Sequence, residues 1–288
     1  MSSLDRRHFL KTSAAALSAA VVPSLFAEEK KNAAFGGFSV SLQSYTYREF
    51  DLETVLKRSK ELGLHHVELY QKHAALNASP EQVKAILNLC KDYDVTPVCW
   101  GVQAFTKNHD ANKKVFEFGK AMGLKSFSAN PDPDSFDSLD KLCEEYKLAI
   151  GIHPHGPVGK DKLDRWYSAE IIMEAVKNHH PLIGTCLDTG HLIRSAQEPF
   201  NKKLVPEQQV RVMGARNFGM HLKDHDNVKK HDVVFGQGVL NLGEVLKALR
   251  EVKFTGHLSI EYEHNSKEPT ADVAACVEVF KETVKRLG

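Results

Sequence analysis

The chain has 288 residues, 42% of them hydrophobic and 26% charged, with a formal net charge of +1. That is ordinary globular composition, with apolar side chains enough for one large core. Arg6, Arg7 and Lys11 against Asp5 give residues 1–27 a net charge of +2, which leaves the body at −1. A nearly neutral body carries no electrostatic footprint for nucleic acid or for an anionic membrane.

In chain order, Asp5-Arg6-Arg7-His8-Phe9-Leu10-Lys11 precedes an Ala-rich apolar run from Ser13 to Ala27. This resembles a twin-arginine (Tat) signal, with Asp5 where a hydroxyl residue is usual. The run contains Pro23 and is short for a membrane span. Residues 1–27 therefore read as a leader, residues 28–37 as a linker and 38–288 as the folded body. The resemblance implies passage through the Tat translocon to a bacterial periplasm, without stable membrane association. Tat export carries proteins already folded, which suits a metalloprotein loaded beforehand. The five cysteines (Cys90, Cys99, Cys143, Cys186 and Cys276) are odd in number, scattered and without a CxxC pair. Most sit in apolar stretches, so buried free thiols are expected.

From Phe38 onward short β-type runs alternate with amphipathic helical ones. The strands expected are Phe38–Ser44, His66–Tyr70, Thr96–Val102, Lys125–Ala129, Leu148–His153, Gly184–Asp188, Phe218–Lys223 and His257–Tyr262. Between them, helical spacing recurs over Leu52–Leu62, Pro80–Tyr93, Lys113–Met122, Ser168–Asn178, Glu244–Val252 and Ala271–Leu287. In the first, Asp51 can cap while Val55, Leu56, Ser59 and Leu62 share a face. Gly63, Gly123 and Gly256 each stand between a helix and a strand, where C-terminal caps belong. Eight strand–helix units in about 250 residues predict one (β/α)₈ (TIM) barrel of α/β class. A doubly wound open sheet would need a glycine-rich phosphate loop after an early strand, and none is present.

In such a barrel the C-terminal strand ends converge on one face. Four of them are polar in the second half: Ala149-Ile-Gly-Ile-His153-Pro-His155, Cys186-Leu-Asp188-Thr-Gly-His191, Gly219-Met-His221-Leu-Lys223-Asp224 and Ser259-Ile-Glu261-Tyr-Glu263. The leading residues are 35, 33 and 40 apart, each close to one strand–helix unit. His153, Asp188, His221 and Glu261 are therefore expected to face one another as metal ligands. Two nitrogens and two carboxylates suit a divalent transition metal (Zn, Mn, Fe or Co) better than Mg or Ca, which prefer oxygen shells.

The pattern resembles the xylose-isomerase-like sugar isomerase/epimerase barrels, over essentially all of residues 38–288. Asp188-Thr-Gly-His191 is similar to that family's Asp-x-x-His strand end, His221-Leu-Lys223-Asp224 to its His-x-Lys-Asp element, and Ser259-Ile-Glu261-Tyr-Glu263 to its terminal glutamate strand. The resemblance implies a metal held by Glu, Asp, His and Glu on the last four strands. By position Asp188, His221 and Glu261 are then ligands, while His153 takes the place of the first glutamate. In related ketose epimerases the two ligand glutamates also serve as paired acid and base, and here only Glu261 remains of that pair.

Further candidates come from neighbouring strand ends. Glu68 is a carboxylate within an apolar strand and a candidate second base. Gln43, Tyr45 and Arg48 follow the first strand, and Trp100 ends the third, where it can stack on a sugar face. His155, His191, Lys223, Asp224 and Glu263 flank the ligands; His191 and Lys223 can move a proton. His179-His180 and His231 read as exposed loop residues without a role. The function expected is metal-dependent isomerisation or epimerisation of a free or keto sugar through an enediolate, with Glu261 as base. The alternatives are a metal-dependent lyase or dehydratase acting on a 3-keto-glycoside or inosose-like substrate, and a periplasmic sugar-binding relative without catalysis.

Overall fold

The computed structural model describes residues 31–288. The expected leader, residues 1–27, and the first residues of the linker lie outside them. Eight parallel strands form a closed barrel: β1 (Ser39–Gln43), β2 (His66–Leu69), β3 (Thr96–Phe105), β4 (Ser126–Pro131), β5 (Ala149–Ile152), β6 (Ile183–Asp188), β7 (Asn217–Leu222) and β8 (His257–Ile260). Each pairs with its sequence neighbours, and β8 closes on β1 with Ser39 opposite His257 and Leu42 opposite Ile260. This is the (β/α)₈ barrel expected from the alternation.

The outer ring is α1 (Leu52–Glu61), α2 (Pro80–Asp92), α3 (His109–Ala121), α4 (Phe136–Tyr146), α5 (Ala169–Val176), α6 (Thr189–Arg194), α7 (Pro206–Met213), α8 (Leu242–Glu251) and α9 (Thr270–Leu287). Local sequence sets several of their starts. Asp51 accepts the Thr54 amide at 2.9 Å ahead of α1, and Ser79 with Gln82 closes a capping box ahead of α2. Helix α3 begins four residues earlier than the apolar spacing indicates, because Asn108 caps a polar first turn by accepting the Ala111 amide. The strand–helix unit after β6 holds two helices, α6 and α7, rather than one.

Gly63 and Gly123 adopt positive φ, as caps do, but Gly256 does not. After α8 the left-handed position belongs to Lys253, at φ 54°. Gly256 is needed for another reason: a Cβ there would stand 2.2 Å from the Phe218 carbonyl oxygen of the neighbouring strand.

The core between barrel and helices is apolar. Phe105, Phe116 and Phe127 meet with ring centroids 5.6–6.1 Å apart. Residues 33–35, within the expected linker, form a helical turn whose Phe35 packs edge-on against Phe280 of α9 at 5.8 Å. All five cysteines are buried and free, and burial pushes the Cys90 and Cys276 thiols up to about 12. His179 and His180, expected in an exposed loop, are half-buried and bonded to Asp140 and Glu144 of α4. Among the described residues, no helix is long and apolar enough to cross a membrane.

The lumen is different. Ser41, Glu68, Cys99, Ser128, Cys186, His257 and Ser259 are all buried, and Ser41 and Ser259 share a hydrogen bond at 2.8 Å. Barrel interiors are ordinarily filled with branched aliphatic side chains, so this polar layer needs a cause, which the site above it supplies. Replacing Gly256 with Ala is expected to force the β7–β8 backbones apart and cost roughly 1–3 kcal/mol, read as a lower midpoint in urea unfolding.

Candidate metal centre

His153 follows β5, Asp188 ends β6, His221 lies in the last turn of the β7 ladder and Glu261 follows β8. The ladder puts them at one height: Asp188 is opposite His221, and the Glu261 amide donates to the Leu222 carbonyl at 3.1 Å. All four side chains are buried. His153 Nε2 lies 3.2 Å from Asp188 Oδ2 and 3.0 Å from His221 Nδ1, and His221 Nδ1 is 2.9 Å from Glu261 Oε2 and 3.7 Å from Asp188 Oδ2. A metal with bonds of about 2.1 Å holds its ligand atoms roughly 3–3.5 Å from one another, close to the separations here. Glu261 Oε2 is buried and near two cationic groups, yet it completes a hydrogen bond with neither. An unsatisfied buried carboxylate oxygen facing two imidazole nitrogens and a second carboxylate fits a divalent transition ion.

Beneath the ligands lies Glu68. It is fully buried and meets four donors: Ser128 Oγ at 2.5 Å, Ser259 Oγ at 2.6 Å, His221 Nε2 at 3.0 Å and His257 Nε2 at 3.2 Å. Burial alone would raise its pKa, but His221 and His257 hold it well below the ordinary carboxylate value. Burial opposes a charge on His221 as well; the carboxylate of Glu68, with Cys186 and Glu261, holds its pKa well above the usual histidine value. With Nε2 committed to Glu68, His221 presents Nδ1 to His153, Asp188 and Glu261, an arrangement like that by which a carboxylate orients a metal-binding imidazole. Glu68 is absent from the pocket wall, so the structure places it beneath these four side chains rather than in the cavity.

Lys223, two residues past His221, is buried as well. Its ammonium stands 3.2 Å from Asp188 Oδ2 and 3.0 Å from Glu261 Oε2, and it donates to Glu263. Burial works against the charge, but Asp188, Glu261 and Glu263 hold its pKa well above the usual lysine value. It is therefore a fixed cation rather than a proton shuttle at neutral pH. In return, and against the pull of burial, Lys223 and His221 bring Glu261 down to about 2 and Lys223 keeps Asp188 well below its ordinary value. Gly190 of the Asp-Thr-Gly-His segment makes room for this lysine: a Cβ there would stand 2.8 Å from Lys223 Cβ.

A cavity of about 340 Å³ opens above these groups, at the small end of the ~300–1,000 Å³ range of ligand pockets. Gln43, Tyr45, His155, His191 and Glu263 line it together with His153, His221, Lys223 and Glu261. His155 is held neutral: burial, then the neighbouring His153, lowers it to about 3, and its Nδ1 has no partner. His191 Nδ1 accepts the Gly156 amide at 3.0 Å, and burial keeps its pKa well below the usual value.

Three residues expected at the pocket are employed elsewhere. Trp100 points away from the lumen, packs on Phe118 and donates to the Ala74 carbonyl at 2.9 Å. Asp224 accepts the amides of Gly236, Gly238 and Leu240 and so shapes the loop after β7. Arg48 stacks over Tyr45 and donates to the Glu263 carbonyl at 2.8 Å, tying the β1 and β8 loops together. The wall also contains Tyr70, Gly101, Val102 and Arg194. Helical spacing from His191 points to Arg194; the Gly101–Val102 approach follows from a register shift in β3 between Trp100 and Gln103, which no residue pattern marks.

A sequence profile of the xylose isomerase-like TIM barrel family matches residues 56–283. No curated protein matches the chain. Among solved structures, an uncharacterised protein from Parabacteroides distasonis is 22% identical and superposes with a TM-score of 0.65, covering 85% of this chain and 98% of that one. A D-tagatose 3-epimerase-like protein is 17% identical, with a TM-score of 0.67 over 87% of this chain and 98% of its own. D-psicose 3-epimerase from Clostridium cellulolyticum, solved with D-tagatose, is 14% identical, with a TM-score of 0.65 over 86% and 99%. At these identities the superpositions establish a shared fold.

In metal-free protein, replacing Glu68 with Gln is expected to cost roughly 3 kcal/mol by leaving buried imidazolium groups without a counter-charge. Glu68, with its depressed pKa, stabilises fully above the unfolded value of 4.5 and loses this as pH falls through the folded value. His221, with its raised pKa, stabilises fully below 6.5 and loses this as pH rises through its folded value. The difference between wild type and variant in urea unfolding should therefore be largest between those two values.

Proposed function

The chain belongs to the xylose isomerase-like TIM barrel family, and from that membership and the chemistry of its pocket we propose that it is a metal-dependent isomerase or epimerase of a free or keto sugar. The observation that carries this is the buried convergence of His153 Nε2, Asp188, His221 Nδ1 and the unsatisfied Glu261 Oε2 at the floor of an open pocket. The similarity in fold to sugar 3-epimerases supports the substrate class. His153, Asp188, His221 and Glu261 would hold one divalent transition ion, which supplies Lewis-acid polarisation of a sugar carbonyl when bound.

The chain's own residues supply the rest. Glu261, kept ionised by Lys223 and His221, is the carboxylate able to take the proton alpha to a carbonyl. Lys223 prevents Asp188, Glu261 and Glu263 from repelling one another and stays charged while it does so. Gln43 and neutral His155, whose Nδ1 has no internal partner, are placed to meet sugar hydroxyls. One specific feature favours a second reading, a lyase on a 3-keto-glycoside or inosose-like substrate: His153 stands where the family resemblance implies a glutamate, and elimination needs one base where epimerisation uses two. We further propose that the N-terminal leader directs the folded protein through the Tat translocon to the periplasm.

Purified protein is expected to carry about one equivalent of transition metal, lost in His221→Ala; active protein free of metal overturns the proposal. Incubation with ketoses in D₂O should place deuterium on the carbon alpha to the carbonyl, detected by NMR, with product separating the isomerase from the lyase outcome. Lys223→Met removes the cation that depresses Glu261, so the Glu261 pKa rises. The acid limb of the kcat/KM profile should then move to higher pH, by one unit or about tenfold in rate on that limb for each 1.4 kcal/mol of lost interaction.

A further inference from the structure

Arg194 ends α6 and lines the pocket. Arg58, Arg165 and Arg211 each meet a carboxylate at 2.7–2.8 Å. Arg194 meets none among the described residues. Its polar neighbours are the ring nitrogens of His191, with Nη2 at 3.0 Å from Nδ1 and 3.2 Å from Nε2. Nδ1 already accepts the Gly156 amide, and an imidazole with one accepting nitrogen carries its proton on the other. The guanidinium thus lies against a ring with no free lone pair to offer it. Its Nε is buried and without a partner, and a buried donor left unpaired is costly. The other pocket cation, Lys223, is already neutralised by three carboxylates.

The position of this unpaired charge relative to the ligands defines a length. His153, His155 and His191 form a triangle of rings on the wall, with centroids 4.6 Å, 4.7 Å and, from His153 directly to His191, 5.3 Å apart. Arg194 therefore sits about one imidazole beyond His153, on the wall of a cavity sized for a small molecule. A substrate whose carbonyl end reaches the ligands would bring a group a few carbons away to the guanidinium. A planar fork of donors matches a carboxylate in two-point contact. A phosphate ester accepts the same fork but carries a further anionic oxygen, and the other pocket cation, Lys223, is already engaged. The nearest helix start cannot contribute, because α6 is a single short helix whose first turn is capped by Asp188.

We propose that the substrate is a keto-sugar acid and that Arg194 is the specificity residue that reads its carboxylate. The proposal rests on the sugar-isomerising reading above and narrows its substrate class. It is tested with metal-loaded, full-length protein by isothermal calorimetry against three probes: 5-keto-D-gluconate, neutral D-fructose and D-fructose 6-phosphate. Wild type should bind the keto acid about 10–100-fold more tightly than D-fructose, the range expected for one charge-assisted contact. Arg194→Gln should abolish that preference, with affinity for D-fructose changing far less, and Arg194→Lys should restore part of it. Equal binding of acid and neutral sugar by wild type overturns the proposal, as does an equal loss for both in Arg194→Gln with unchanged urea unfolding. Tighter binding of the phosphate ester than of the keto acid also overturns it. Deuterium exchange, followed in the same samples, separates the two readings: acid-selective binding without exchange leaves Arg194 its role and removes the isomerase. Exchange into D-fructose and the keto acid alike, without selective binding, does the reverse.

Discussion

A carboxylate cannot sit dry inside a barrel without partners, since the penalty for an uncompensated buried charge is several kcal/mol. Glu68 meets that demand by drawing donors from three other strands. Ser128 comes from β4, His221 from β7, and His257 with Ser259 from β8. The result is a polar tie across the lumen that replaces the usual aliphatic filling. It also fixes which nitrogen of His221 faces upward, and so decides what the pocket floor presents. Ser128, Ser259, His221 and His257, which look out of place in a barrel core, satisfy this one group.

Above the tie, the site is a balance of charges. Asp188, Glu261 and Glu263 converge within reach of a single ammonium, and Lys223 offsets the repulsion among them. The same geometry keeps Glu261 ionised and Lys223 protonated, so neither titrates near neutrality. The imidazoles of His155 and His191, by contrast, are pressed neutral by burial. One side of the pocket is therefore a fixed ionic cluster and the other a wall of neutral rings ending in Arg194. Such a division suits a ligand with a chelating end and a charged end.

Much of this was legible from residue order. Parallel strands repeating at one strand–helix unit place equivalent side chains at one height, so spacings of 35, 33 and 40 suffice to bring His153, Asp188, His221 and Glu261 together. Pocket membership of Gln43, Tyr45, His155, His191 and Glu263 follows from the same rule. It misleads for Trp100 and Asp224. Trp100 alternates with the lumen-facing Cys99 and so faces the helices, and a loop returning from Gly236 to Leu240 claims Asp224 for its amides. The second event leaves no periodic trace, because it depends on a segment twelve to sixteen residues away.

The sequence by itself determined the class of fold, the number of its units and the convergence of His153, Asp188, His221 and Glu261, since these rest on local periodicity and on a barrel's fixed convergence of strand ends. Only the tertiary structure decided what the remaining polar groups do. Glu68 reads as a candidate base in a linear chain and becomes a support for His221 once β2, β4, β7 and β8 close around it. Lys223 reads as a proton carrier and becomes a fixed cation once three carboxylates surround it. The reason is common to both: the behaviour of a buried charge is set by its partners and its dryness, and both are properties of packing rather than of neighbours along the chain.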